Sequence, residues 1–308
     1  MFDATFISSS IRLTIPILLA AVGCCYMVKV NILNLSLEGM ILVSAFFATW
    51  GTILTANPWV GLVFGMLSSL TLSAIFGLLI INLRANALIV GIAMNLAAVG
   101  LSTVLLELIF GVRGLLMSPR IISFPVIRLP FLDQIPIFRP IVGEFDPIVY
   151  LTIVLVILLT VVMYRTPLGM RIRAIGEHPE AAETAGINLR LHKHAACLIC
   201  GLMCGIAGTY LPLGGLSIFT ENMSAGKGFI ALAAALFGMG SPVIAVFASL
   251  LFGFATALAM RLQGMGLPSH FVLMTPYVLT LVLLIARRFR EIIQSRFADR
   301  KQEININQ

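Results

Sequence analysis

Apolar residues along the chain come in blocks as long as a membrane-spanning helix, separated by short polar, glycine-bearing or proline-bearing connections. A hydrocarbon core of about 30 Å takes about 20 helical residues to cross. On that measure the pattern predicts apolar segments at 11–28, 32–50, 58–81, 87–110, 148–164, 194–216, 228–240, 242–260 and 270–287. The segment 228–240 is too short to cross alone at about 1.5 Å per residue, so it borrows from 223–227 or is a broken helix. The longest polar connections are 111–147, 165–193 and the tail after Arg287. Two stretches, "GLVFG" at 61–65 and "GLMCG" at 201–205, carry a small-xxx-small spacing that lets helix backbones approach closely. They predict packed helices. The fold class expected is all-α, a polytopic membrane bundle of about 8–10 transmembrane or re-entrant helices.

Composition agrees and adds an orientation. Of the 308 residues 59% are hydrophobic and 11% charged, and the mean hydropathy is +1.05; soluble domains carry roughly 25% charged residues. In a soluble chain the net charge of +7 would suggest nucleic acid, whereas here the position of the basic residues matters more than their sum. Arg165, Arg171, Arg173, Arg190 and Lys193 share one connection, and Arg287, Arg288, Arg290, Arg296, Arg300 and Lys301 cluster at the tail. The segments between the two blocks return the chain to the side it left, so both blocks are expected to be cytoplasmic. That places 111–147 outside, although it carries Arg113, Arg120, Arg128 and Arg139. The N-terminus is outside if 32–50 spans and inside if it is re-entrant. Arg12 and "AVGC" at 21–24 superficially resemble a signal sequence, but an uncleaved first helix accounts for the same residues.

The connection 165–193 contains "GEHPEAAETAGI", a small water-soluble helix with written ends. Pro179 suits the first helical position, Glu180 and Glu183 suit the positive end of the helix dipole, and Gly186 suits a left-handed stop. About two turns of helix are too few to be stable alone in water. The alanines at 181, 182 and 185 offer a nearly flat face against another protein, without the large apolar residues that a helix lying on lipid would need.

"EAAETAG" at 180–186 resembles the E-A-A-x-x-x-G core of the coupling loop in ABC importer permeases, the surface gripped by the ATPase subunit. The whole stretch 166–189 is similar to that loop in the simple-sugar and nucleoside permease family, as are "NILNLSLEGM" at 31–40 and "GKGFIALAAALFGMGSP" at 226–242. The resemblance runs from about residue 11 to residue 287. The I-x-L-P ending of the maltose-type motif is absent after Gly186, and "NLSLEGM" stands where the ribose branch carries G-G-I-D-L-S-V-G. A nucleoside or related purine is therefore the expected solute, with a simple sugar close behind. The resemblance implies one transmembrane permease domain over 1–308, with a coupling loop at 165–193, an extracytoplasmic loop at 111–147 and a cytoplasmic tail at 288–308. It implies coupling to an ATPase through Glu180, Ala181, Ala182 and Gly186. It also implies a second permease copy or paralogue, an extracytoplasmic binding protein and a bacterial inner-membrane location with the C-terminus cytoplasmic. Besides these, membrane lipid is an expected partner and nucleic acid is not. No cofactor is expected in this chain, because its Gly-Lys pair, Gly226-Lys227, is followed by Gly228 and makes no phosphate-binding loop; ATP and Mg belong to the partner.

Ionisable or strongly polar residues inside spans are functional candidates by default. Glu38 stands out, with Asn34 and Asn31 four and seven positions before it, spacings that would put all three on one helical face. Glu38 either serves the pathway or accepts hydrogen bonds from nearby backbone or the asparagines and fixes packing. Asn95 either meets a sugar hydroxyl or base edge or bonds a neighbouring helix. Together Asn34, Glu38 and Asn95 form the candidate pathway. Glu107 and Arg261 fall near outer ends. "HKH" at 192–194 reads as a solvated face and not a metal site, and Cys197, Cys200 and Cys204 share one packed helix face. The rival to an ABC permease is a stand-alone secondary transporter or channel for a small polar solute.

Overall fold

A computed structural model describes residues 4–128 and 144–263. The expected segment 270–287, the tail and residues 129–143 of the long connection 111–147 lie outside the described residues. The chain divides into two compact units, Met1–Phe254 and Ala255–Gln308.

In chain order the elements are α1 (Ala4–Lys29), α2 (Leu37–Thr55), α3 (Pro58–Gly77, continued by a π-turn Leu78–Asn82), α4 (Ala87–Phe110), β1 (Leu115–Met117), β2 (Ile127–Arg128), β3 (Glu144–Phe145), α5 (Pro147–Arg165), α6 (Pro167–Glu177), α7 (Pro179–Thr184), α8 (Leu189–Leu213), β4 (Ile218–Thr220), α9 (Lys227–Phe237) and α10 (Pro242–Gln263). Among the described residues 7 helices are long and apolar enough to cross a membrane: α1, α2, α3 with its π-turn, α4, α5, α8 and α10. The fold is an all-α polytopic bundle. Helix starts are set by proline at the first turn, as at Pro58, Pro147, Pro167 and Pro179, and by asparagine caps. Asn57 accepts from the Trp59 N–H, Asn86 from that of Leu88 and Asn188 from that of Leu191.

One expectation shifts and another narrows. The second apolar segment becomes helical only at Leu37, so Asn31, Asn34 and Glu38 do not share a helical face. Asn31 takes a left-handed backbone (φ 59°), and Asn34 Oδ1 accepts from both the N–H and the hydroxyl of Ser36, at 2.9 and 2.6 Å. Short polar side chains that bond local backbone in this way compete with the helix and break it. The short segment borrows only Lys227 of 223–227 as helix: a run of turns leads to α9, whose 11 residues take the broken-helix form of the two expected.

The bundle has a centre and a rim. The central helices are α1, α2 and α8, whose most apolar windows are 78%, 78% and 83% buried; the figure for α4 is 17%. Backbone proximity holds the centre together. A Cβ at Gly205 would lie 2.7 Å from Met66 Cα, so α3 and α8 touch where only glycine fits. Three hydroxyls cross to successive carbonyls of α8: Ser73 to Cys197 at 2.5 Å, Ser69 to Gly201 at 2.7 Å and Ser44 to Gly205 at 2.5 Å. All five cysteines are buried free thiols, three of them on α8.

At the end where α4 finishes, β1 pairs antiparallel with β4, Leu116 opposite Phe219. Glu221 extends the pairing, its N–H donating to the Gly114 carbonyl and its carboxylate accepting from the Gly114 N–H. At the opposite end lie α6 and α7, together with the 83–86 turn, which His194 joins through a 2.8 Å contact to Asn82.

Candidate functional site

Two of the helices start inside the bundle instead of at its surface, and they start against each other. The turn 83–86 puts Ala87, the first residue of α4, at a membrane edge, and Asn95 lies eight residues further in (95 − 87), about 12 Å deeper. At that depth Asn95 Oδ1 accepts the Gly39 N–H at 2.8 Å while its Nδ2 donates to the Leu35 carbonyl at 2.8 Å. Ser36 precedes α2 without making a side-chain cap, so Asn95 supplies from α4 what the local sequence does not.

Glu38, in the first turn of α2, does the same for α9. Its Oε1 accepts the Gly226 N–H and its Oε2 the Gly228 N–H, each at 2.7 Å. One carboxylate thereby covers two of the free donors at the positive end of a helix. The approach is close enough that a Cβ on Gly228 would sit 2.6 Å from Glu38 Cα. Gly226 makes the turn with φ +82°. Lys227 is half-buried between these glycines, its ammonium donating to the Ser224 carbonyl at 3.2 Å. Neither Lys227 nor its flanking glycines figured among the expected site residues; the one signal was a Gly-Lys-Gly triplet just before a short apolar run.

The structure thus brings Glu38 and Asn95 to one junction. Asn34 is completely buried beside it, its Nδ2 facing the sulfurs of Met27 at 3.3 Å and of Met40 and Cys200 at 3.9 Å. Asn31 is apart, donating to the Gly176 carbonyl at 2.7 Å and tying the end of α1 to the polar loop.

That loop is a second site. Ile172 and Ile175 of α6 are buried, and α7 ends in a paired turn: the Ile187 N–H returns to Ala182 O at 3.0 Å and the Gly186 N–H to Glu183 O at 2.9 Å. Gly186 holds φ +81°, as a left-handed stop requires. Glu180, Ala181 and Gly186 are exposed, whereas Ala182 is buried. The flat alanine face is therefore divided, with Ala181 and Ala185 outward and Ala182 turned against its own chain.

Elsewhere, Glu107 pairs with Arg113 at 2.5 Å, which raises the Arg113 guanidinium above its usual range; both are exposed, and such pairs contribute little to stability. Arg261 lies in the last turn of α10. His192 bonds the Asn188 carbonyl at 2.8 Å while His194 reaches Asn82, so the two histidines of "HKH" serve different partners. Among the described residues no cluster of three histidines, cysteines or carboxylates could hold a metal ion.

Residues 6–286 match the family described as branched-chain amino acid transport system / permease component. The chain is 32% identical over 280 residues to the nucleoside ABC transporter permease protein NupC of Lactococcus lactis subsp. cremoris, covering 87% of each chain. It is 33% identical over 283 residues to the guanosine ABC transporter permease protein NupQ of Bacillus subtilis, again 87% of each. To the putative glucose ABC transporter permease protein TsgC13 of Haloferax volcanii it is 31% identical over 270 residues, 86% of this chain and 80% of the relative. No solved structure matches it. A polytopic bundle with a capped interior junction and a short exposed helix in a polar loop, matched over this length, belongs to the branched-chain amino acid transport system / permease component family.

Proposed function

We propose that this ABC importer permease carries a neutral solute, a nucleoside in the first place and a simple sugar in the second, and that a separate ATPase docks on α7. The observation that carries the solute class is the Glu38 carboxylate on the start of α9. Broken helices in transporters often present a positive N-terminus to an anionic substrate group. Here that end is occupied by a carboxylate of the chain itself. A free amino acid or a phosphorylated solute would compete with Glu38 for the same donors, whereas a nucleoside or sugar would not. The names of the nucleoside, guanosine and glucose relatives support the same class.

The rest of the assembly follows from α7 and the charge pattern. The exposed Glu180, Ala181 and Gly186 meet the ATPase, which holds ATP and Mg; this chain holds neither. A second permease, identical or paralogous, and an extracytoplasmic binding protein complete the importer in a bacterial plasma membrane. The basic loop 165–193 and the C-terminus face the cytoplasm. The length and apolarity of α2 support counting it as a span, which with the same parity favours an N-terminus outside. A stand-alone ion-driven carrier fits less well, since Glu38 is spent on two backbone donors.

Reconstituted transporter with its ATPase and binding protein tests this. Guanosine is expected to stimulate ATP hydrolysis, glucose to do so weakly if at all, and leucine not at all. Stimulation by leucine equal to that by guanosine would overturn the argument from Glu38.

A further inference from the structure

A cleft of about 780 Å³ opens where the 83–86 turn meets the start of α8 and the end of α7. Its wall carries Arg84, Arg190 and Lys193 against a single carboxylate, Glu183. None of the three cations has an ion-pair partner among the described residues. Arg84 takes a left-handed backbone (φ 53°), uncommon for a non-glycine residue. The positive end of α8 adds to the field. Unpaired cations from two separate segments around one cavity make a site for an anion.

The surroundings say which anion. The cleft lies at the membrane edge, since the turn between the spans α3 and α4 forms one wall. Beside that turn Leu83 and Ile89 are 66% and 68% exposed, continuing the outward apolar stripe of α4. A phosphate that carries acyl chains would cover them. We propose that the cleft holds the headgroup of an anionic phospholipid, its phosphodiester between Arg84, Arg190 and Lys193 and its chains along Leu83 and Ile89. Basic pockets at the cytoplasmic ends of membrane helices suit such headgroups. Gly186 and Ile187 belong to the same wall, which sets the cleft beside the turn that ends α7.

Native mass spectrometry of the full-length chain, titrated with phosphatidylglycerol or phosphatidylcholine, tests the assignment. Phosphatidylglycerol is expected to bind at least about tenfold more tightly than phosphatidylcholine, because both carry a phosphodiester but the quaternary ammonium of choline cancels its charge and is repelled by the three cations. The double variant Arg84→Ala/Arg190→Ala should lose that preference, and Arg84→Lys should keep most of it. Both sites are exposed, and thermal unfolding of the variants should match the parent. Inorganic phosphate at millimolar concentration should not displace the lipid; full displacement would make the site one for free phosphate and overturn the lipid reading. Equal binding of the two lipids, or phosphatidylglycerol binding unchanged in the double variant, would overturn it as well. So would lost ATPase co-purification in the double variant with lipid binding intact, which would make the cleft an acidic-segment site.

Discussion

The junction around Glu38 and the loop carrying α7 both consist of a short helix with a glycine at one end, yet they are held in opposite ways. α9 is held from outside itself: its first donors are covered by Glu38, which is 188 and 190 positions away from the glycines it bonds. α7 is held by its own sequence, with Pro179 at its start and the paired turn through Gly186 at its end. The difference follows from the solvent. Inside the bundle no water satisfies a free N–H, so a helix can begin there only where another element brings an acceptor. In the aqueous loop water serves the donors, and the exposed face stays free for a partner. The junction should therefore answer to mutation as stability, and the loop as assembly.

The largest effect expected is at Glu38. Glu38→Ala strips two charge-assisted hydrogen bonds from buried donors, about 3–6 kcal/mol at 1.5–3 each. Glu38→Gln keeps one acceptor and points an amide N–H at the other donor, so it should fall between. Thermal unfolding of the purified chain and its level in the cell membrane measure both. If Glu38→Ala leaves unfolding unchanged and abolishes uptake, the carboxylate belongs to the pathway and the contrast with the loop fails.

Gly228→Val sharpens the same point by steric means. The added Cβ would overlap the Glu38 backbone, a clash that no rotamer change relieves. A loss of about 2–3 kcal/mol is expected from overpacking. Asn95→Ala removes one bond to each side of the α2 break, for about 2 kcal/mol at 1 each. Asn95→Asp separates the two bonds: it still accepts from Gly39 but repels the Leu35 carbonyl, and should be no more stable than the alanine variant. An aspartate as stable as the parent would mean that the Leu35 contact contributes nothing.

How much of this was legible in the sequence divides along the same line. The α7 loop could be read from consecutive residues, because a proline start, first-turn carboxylates and a glycine stop are local physics. So could the close approach of α3 and α8, because "GLVFG" and "GLMCG" name the positions where backbones touch. The break before α2 was missed. Val30, Ile32, Leu33 and Leu35 keep the stretch 30–36 apolar enough on average to pass as part of a span, and a hydropathy pattern has no response to an asparagine that bonds its own backbone. The pairing of Glu38 with α9 was equally hidden, since it depends on a contact across most of the chain. Whether a span is central or peripheral was illegible too: α4 is as apolar as α1, and only the spacing of glycines and hydroxyls marks the buried helices. In lipid the bundle interior is no more apolar than its outside.

The smallest expected effect on stability is also the sharpest test of the loop. Ala182 is turned inward, so Ala182→Trp would push α7 off its own chain and report on loop packing before it reported on any partner. Ala181 is exposed on the same helix. Ala181→Trp adds bulk to that open face without entering the protein, and surface changes of this kind usually stay within about 0.5 kcal/mol. Unfolding of the purified permease should therefore match the parent, and solute-independent membrane insertion should be normal. What should fall is the amount of ATPase that co-purifies, together with solute-stimulated hydrolysis, because an indole ring holds the docked surface away from Glu180 and Gly186. A parallel variant at Leu54, exposed in the last turn of α2 at the opposite end, should leave co-purification untouched. If Ala181→Trp retains full ATPase association and full uptake, α7 is not the docking helix, and the loop is a structural clasp like the junction it was contrasted with.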